Sequence, residues 1–173
     1  MKKLIAIILV ITMAASLTAC GSGKSTSEVK NLEGTCSEII EKVYEQKPVD
    51  LFIDTSELDL SDLVAFEVFT GLDSVDKIKE GAVSETMMNS QPYSFVMLRL
   101  KDAADAEEVA NAMKSGINQR KWVCVEADDL AVAAYGDIVM LFMVGSDYSD
   151  TVTSAEMVEA FKTVCGGTLS LQL

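Results

Sequence analysis

The side chains able to do chemistry in this sequence are few in kind. It contains no histidine. That removes the commonest general base, the Ser-His and Cys-His nucleophile pairs, and imidazole-ligated zinc or copper. Four cysteines are present, Cys20, Cys36, Cys124 and Cys165. They lie far apart with no C-x-x-C, so their spacing supports neither a structural zinc site nor a thioredoxin-like motif. Cys165 falls on an apolar helical stripe and Cys124 between Val123 and Val125; both positions read as buried, inert thiols. One disulfide among Cys36, Cys124 and Cys165 is the other state open to them outside the cytoplasm. Carboxylates gather at Glu126, Asp128 and Asp129, and again at Asp147 and Asp150. Hard cations take oxygen ligands, but neither group has the spacing of a calcium loop. No metal ligand is assigned, and solvated loop charge is expected. Ser74 and Lys77 have the S-x-x-K spacing of penicillin-binding enzymes, and so have Ser27 and Lys30. The companion S-D-N and K-T-G elements are missing. A carboxylate pair alone can hydrolyse a glycoside, but aromatic residues that could stack a sugar make up only 6% of the chain.

Cys20 stands in a context of its own. Lys2 and Lys3 open the sequence, Leu4 to Met13 is apolar but for Thr12, and small residues lead on to Cys20. This is the layout of a secretory leader, and its apolar run is shorter than the roughly 20 residues a spanning helix needs. Leu17-Thr18-Ala19-Cys20 resembles the lipobox of bacterial lipoproteins. The resemblance implies that the Cys20 thiol receives a diacylglycerol, that the chain is cut before it, and that Cys20 becomes the mature N-terminus. Gly23-Lys24-Ser25 looks like the tail of a phosphate-binding loop. That motif needs a glycine where Thr18 stands, and a strand before it and a helix after it. The segment from Gly21 to Gly34 is rich in Gly, Ser, Thr and charge and is too poor in apolar residues to offset its ordering entropy. Three parts follow: a leader over 1–19, a lipidated cysteine with a flexible tether over 20–34, and one domain over 35–173.

The formal charge is −13, and loss of Lys2 and Lys3 with the leader makes the mature chain more acidic still. Nucleic acid is excluded as a partner and anionic membrane surfaces repel such a domain. Cationic partners remain open. With few aromatics and 9 methionines, an aliphatic, Met-rich core is expected.

Thr35-Cys36-Ser37-Glu38 has the form of a capping box, and Ile39, Ile40, Val43 and Tyr44 continue a helix to about Gln46, before Pro48. Val49 to Asp54 reads as a short extended segment. Ser61 caps a second helix with Leu63, Val64, Phe66 and Phe69 as its apolar residues, and Gly71 ends it. Lys79 to Val83 is extended, and Tyr93 to Leu100 is a central strand, apolar nearly throughout except for Arg99. Asp102 or Asp105 caps a helix with Ala106, Val109, Ala110, Met113 and Ile117 on its apolar face, ending near Lys121. Leu130 to Tyr135 and Ile138 to Val144 form a hairpin around Gly136-Asp137, a type II′ turn. Ser154 caps the last helix. Leu169, Leu171 and Leu173 then alternate along an edge strand. The order from Tyr93 onward implies an α+β domain with an antiparallel or mixed sheet and helices packed mainly on one face, an arrangement resembling the ferredoxin-like one.

The stretch ETMMNSQPYSFVMLRLKDAADAEEVANAMKSGINQRK, followed by AYGDIVMLFMVG, resembles a family of small lipoproteins of Gram-positive gut anaerobes. These carry one extracytoplasmic domain of unknown function. The likeness spans Gly71 to Val144 and rests on apolar spacing, the Met-Met-Asn turn and the arginine near the helix end. It implies a compartment and a domain class, and carries over no site residues. The expectation is a lipid-anchored protein on the extracytoplasmic face of the cell membrane, held there through Cys20. Its domain would be non-catalytic, without cofactor, and would bind a small ligand or a protein. A subunit or assembly factor of an envelope complex or transporter is the alternative. Met87, Met88 and Trp122 are the candidate contact surface: methionine adapts its shape and tryptophan anchors interfaces. Packing at a strand end or over the core is the plainer role for all three.

Overall fold

A computed structural model of the chain describes residues 31–173. The leader, the lipobox Leu17-Thr18-Ala19, Cys20 and the Ser27–Lys30 pair lie outside the described residues. Helix α1 spans Cys36–Gln46 and starts at the expected capping box: Thr35 Oγ1 accepts from the Glu38 amide at 3.2 Å, and Glu38 Oε2 accepts from the Thr35 amide at 2.9 Å. Strand β1 (Ile53–Glu57) pairs with β2 (Ile78–Thr86), and α2 (Leu63–Thr70) lies between them in sequence. Strand β3 (Tyr93–Leu100) follows, then α3 (Ala106–Gly116), the hairpin β4 (Asp129–Tyr135) and β5 (Ile138–Val144), α4 (Ser154–Val164) and the short β6 (Leu171–Gln172).

The strands form one antiparallel sheet in the order β1-β2-β3-β5-β4-β6. The domain is α+β, as its pattern of elements implies. Strand β3 is buried at every position, which explains its nearly unbroken apolar run. Tyr135 pairs with Ile138 across a two-residue turn. Gly136 has φ 57°, a value open to glycine, and Asp137 keeps a negative φ, as a II′ turn requires.

Helix placement differs from expectation. The period-2 alternation of the central strands sends side chains to two cores, not one. Tyr93, Phe95 and Met97 of β3 and Met140 and Phe142 of β5 meet α1 and α4 on one face. Val96, Leu98, Val139, Leu141 and Met143 meet α2 and α3 on the other. Helices therefore cover both faces, because both faces of β3 and β5 are apolar and neither can face water. The ferredoxin-like likeness holds only for β3-α3-β4 with β5 inserted between the two strands. The last strand pairs with β4, because β2 already occupies the free side of β3. The first core also gathers the aromatics: Tyr93–Phe142 and Phe95–Phe142 are edge-to-face pairs at 5.1 and 5.8 Å.

Several boundaries move for identifiable reasons. The second helix is capped by Asp62, whose Oδ1 accepts from the Ala65 amide at 3.0 Å, and not by Ser61. The last is capped by Thr153 in a box with Glu156, and Ser154 instead donates to Asp129. Helix α3 stops at Gly116, five residues before Lys121. Gly116 lies against the Gly71 carbonyl with no room for a side chain, and Ile117 turns to extended backbone there. Strand β1 begins later than Val49 and runs on to Glu57. Leu169 packs against the first core while Leu171 and Leu173 pack against the second, so the three leucines do not share a face.

Candidate functional site

The sheet has two unlike ends. At one, β3 and β2 meet the β4–β5 turn. Arg99 is buried there, at 6% exposure. Its Nη1 donates to both Asp137 carboxylate oxygens at 3.1 and 2.9 Å, its Nε donates to Glu80 at 2.8 Å, and its Nη2 donates to the carbonyls of Leu32 and Gly34 at 3.1 and 2.6 Å. Five acceptors around one guanidinium satisfy the charge that burial would otherwise make costly. The same cluster fixes the point at which the chain from the N-terminus enters the domain. Cys36 packs beside it, with Sγ 3.8 Å from Glu80 Oε1. Burial, with the Glu80 charge adding to it, pushes the Cys36 thiol up to about 12.

At the other end stand Ile53, Thr86, Tyr93, Val144 and Asp129, which register pairing brings level. The irregular segment after α3 crosses this end. It is pinned by Ala127, whose amide donates to the Gln119 carbonyl at 2.9 Å and whose carbonyl accepts from Gln119 Nε2 at 2.6 Å. It is pinned again by Lys121. That ammonium lies 2.5 Å from Glu85 Oε1, 3.3 Å from Ser94 Oγ, and over the rings of Phe69 and Trp122 at 5.0 and 5.2 Å. Burial lowers the Lys121 pKa, against the pull of Glu85.

Between this segment and the neighbouring loops run two adjoining hollows of about 390 and 570 Å³. They share Cys124, Val125 and Glu126. The smaller reaches Arg120 and Trp122, and the larger reaches Pro92 and the turn from Gly145 to Tyr148. Gly145 is required here: a Cβ would fall 2.8 Å from Pro92 Cγ and 3.1 Å from the Glu126 carbonyl. The lining of the hollows is mixed, with Ser90, Glu126, Asp128 and Asp147 beside Pro92 and Val125, and large apolar side chains stand exposed in the loops at this end of the sheet. Phe52 is 73% exposed, Val123 67% and Met87 61%. The Met87 amide donates to the Phe52 carbonyl at 3.0 Å, so these two exposed residues are backbone neighbours.

The expected surface residues thus fall at one end of the sheet. Met87 and Met88 are exposed beyond the end of β2, and Trp122 is half-buried, packed on the second core while lining the smaller hollow. Phe52 and Val123 carry no sequence signal, since an isolated apolar residue in a loop reads as core. The thiol reading needs correction at one position. Cys36 and Cys165 are buried and all three described cysteines are free, but Cys124 is exposed. Its φ of 63° turns it out of the Val123–Val125 line, and the segment is no strand, so alternation does not bury it.

Of the clustered carboxylates, Asp128 and Asp129 are engaged in structure, while Asp147 and Asp150 are exposed. Asp128 accepts from the Ser146 amide and hydroxyl at 2.6 and 2.8 Å, contacts that lower its pKa. Asp129 accepts from the Ser154 amide and hydroxyl at 2.7 and 2.5 Å, which adds to the start of α4. Ser74 Oγ accepts from the Asp76 amide at 3.1 Å, and Lys77 pairs with Asp105 and Glu108 at 2.9 and 2.6 Å. That serine and lysine are not coupled. Among the described residues no group of three or more Cys, Asp and Glu stands together in a way that could hold a metal ion, and no helix is long and apolar enough to cross a membrane. Comparison with protein-family models, curated proteins and solved structures finds no match for the chain.

Proposed function

We propose that this chain is a membrane-anchored extracytoplasmic lipoprotein whose domain is a non-catalytic binding or accessory module. It engages its partner through the cleft end of the sheet. The anchor reading is supported by the leader layout and the lipobox ending in Cys20. The observation that carries the binding reading is the exposure of Phe52, Met87 and Val123 in the loops at the cleft end of the sheet. These are large apolar side chains left in water at the end of a domain that buries both faces of its sheet, and exposed apolar surface marks interaction sites. The non-catalytic reading is supported by the engagement of Asp128 and Asp129 in capping contacts and of Lys77 in ion pairs.

A second reading, a subunit or assembly factor of an envelope complex, is favoured by α2. Its residues Leu63, Val64 and Val68 are also exposed, and a helix apolar all round is ordinarily a buried one.

Photo-cross-linking in the native cell separates these readings. A cross-linking residue is placed at Val123, at Val64, or at Lys114 on the exposed side of α3 as a control. Adducts from Val123 alone support binding at the cleft. Adducts from Val64 alone support the α2 reading. Adducts at Lys114 without either overturn both.

A further inference from the structure

The binding reading leaves the partner's chemistry open, and this inference rests on it. We infer that the cleft end receives a basic amphipathic segment of a partner protein, with apolar side chains that seat on the exposed Phe52, Met87 and Val123 and lysine or arginine beside them.

Three observations converge on that occupant. The first is the apolar contact itself. Met87 and Met88 sit together in the turn beyond β2 and are exposed. Unbranched thioether side chains can repack against apolar anchors of different shape. The second is the charge around them. Asp50 and Asp54 flank Phe52, and Asp128 and Asp147 line the larger hollow; all four are exposed. The third is the fate of the local cations. Arg120 pairs with Glu126 at 2.5 Å and Lys121 with Glu85 at 2.5 Å. Among the described residues no cation pairs with Asp50, Asp54 or Asp147. The end is therefore apolar in its contacts and negative in its field. An acidic or neutral apolar segment would satisfy only the first property. An anionic bilayer or a nucleic acid would be repelled. A basic amphipathic segment satisfies both, and like-charge repulsion excludes its acidic counterpart. A second copy of this chain is disfavoured on the same ground.

The test uses the full chain in nanodiscs of zwitterionic lipid and reads Trp122, the one tryptophan in the sequence, at the edge of the smaller hollow. Three probes are titrated: an 18-residue Leu/Lys peptide with helical periodicity, its scrambled form, and the same peptide with Glu for Lys. The expected result is saturable binding of the first, about tenfold or more tighter than the other two, and weakening as salt rises. Val123→Asp should lower that affinity by about tenfold, the loss of one good anchor. Asp147→Asn should lower it less and reduce the salt dependence. Equal binding of the scrambled or acidic peptide overturns the inference, and so does binding unaffected by Val123→Asp. A Trp122 shift with anionic vesicles as large as with the peptide overturns it in favour of a lipid surface. Sequencing of adducts from Val123 in the cell separates the inference from the reading beneath it. A cross-linked segment without basic residues overturns the partner class and leaves the site standing. Adducts at Lys114 with none at Val123 remove the site itself.

Discussion

Lys121 Nζ stands 2.5 Å from Glu85 Oε1, and this contact joins the loop that walls the cleft to strand β2. The loop has no regular hydrogen-bond ladder of its own. Its position depends on the Gln119–Ala127 backbone pair and on this ion pair, sheltered beneath Phe69 and Trp122. A cation over two ring faces is attracted by their quadrupoles, so the same ammonium also orients Trp122.

Lys121→Ala removes the cation and leaves the partly buried Glu85 carboxylate without its ion-pair partner. The expected cost is about 1–3 kcal/mol, the penalty of stranding a partly buried polar group. The change should also shift Trp122 emission to the red in the native state, because the indole loses the contact that holds it against the core. Urea unfolding and native-state fluorescence measure the two effects. A destabilised protein with unchanged emission would show that Trp122 is oriented by the core alone.

How much of this was legible beforehand follows from the range of each interaction. Local signals were readable: the Thr35–Glu38 capping box, the Gly136 turn, and Gly71 as a C-cap with φ 73°. The unbroken apolar run from Tyr93 to Leu100 correctly implied a central strand. It also implied two apolar faces, and hence helices on both; the expectation of a single covered face did not follow that through. Arg99 was visible as an exception within the run, but its partners Asp137, Leu32 and Gly34 lie 38 or more positions away and leave no spacing signature. The cleft was half legible. Met87, Met88 and Trp122 stood out by residue type, whereas the exposure of Phe52, Val123 and Cys124 is a property of how loops cross the sheet end.

Arg99→Met tests the opposite end. It strands Asp137 and Glu80 and frees the Leu32 and Gly34 carbonyls. Breaking one side of a buried ion pair costs about 3–5 kcal/mol. Limited proteolysis should then cut near Gly34 under conditions where the parent chain resists. Equal resistance at that point would mean the entering segment is held by Leu32 packing, without the guanidinium.

The cysteines should divide two to one. In the native Cys20→Ser chain a maleimide should modify one thiol, Cys124, and all three after denaturation. Cys36 and Cys165 are shielded by α1, α4 and the sheet, and burial pushes both thiols up to about 12, which starves them of reactive thiolate. Mass spectrometry locates the label. Native modification of Cys36 or Cys165 would contradict the packing described here.

Alkaline pH should unfold the domain early, and the sign is fixed by the same groups. Cys36 and Cys165 titrate at 9.0 when unfolded and at about 12 when folded. Burial also raises Tyr44 and Tyr93 above their usual 10.0. The folded state therefore binds more protons than the unfolded state above pH 9. Stability is fully present below that and is lost as pH climbs toward 12, by about 1.4 kcal/mol per unit for each group once it titrates. Lys121, whose pKa burial lowers below 10.5, acts in the opposite sense, as one group against four. Urea midpoints at pH 8, 10 and 11 should fall progressively, and Cys36→Ser should flatten the fall. A constant midpoint would show that these groups are open to water.

The last prediction concerns the anchor. Cys20→Ser should abolish lipid labelling and move the protein out of the membrane fraction, because no other residue of the lipobox can form the thioether. Retention in the membrane with no lipid label would mean that the leader itself, and not a lipid, holds the chain. The Arg99 cluster adds a geometric consequence. From Cys20 to Leu32 the chain can span at most about 40 Å. Strand β3, at about 3.3 Å per residue, is about 26 Å long, and the chain enters at its far end from the cleft. The cleft should then stand away from the bilayer, facing outward. A fluorophore on Cys124 should be quenched less by headgroup-attached quenchers than one placed at Glu33 beside the entry point. Stronger quenching at Cys124 would put the cleft end on the lipid and reverse the orientation.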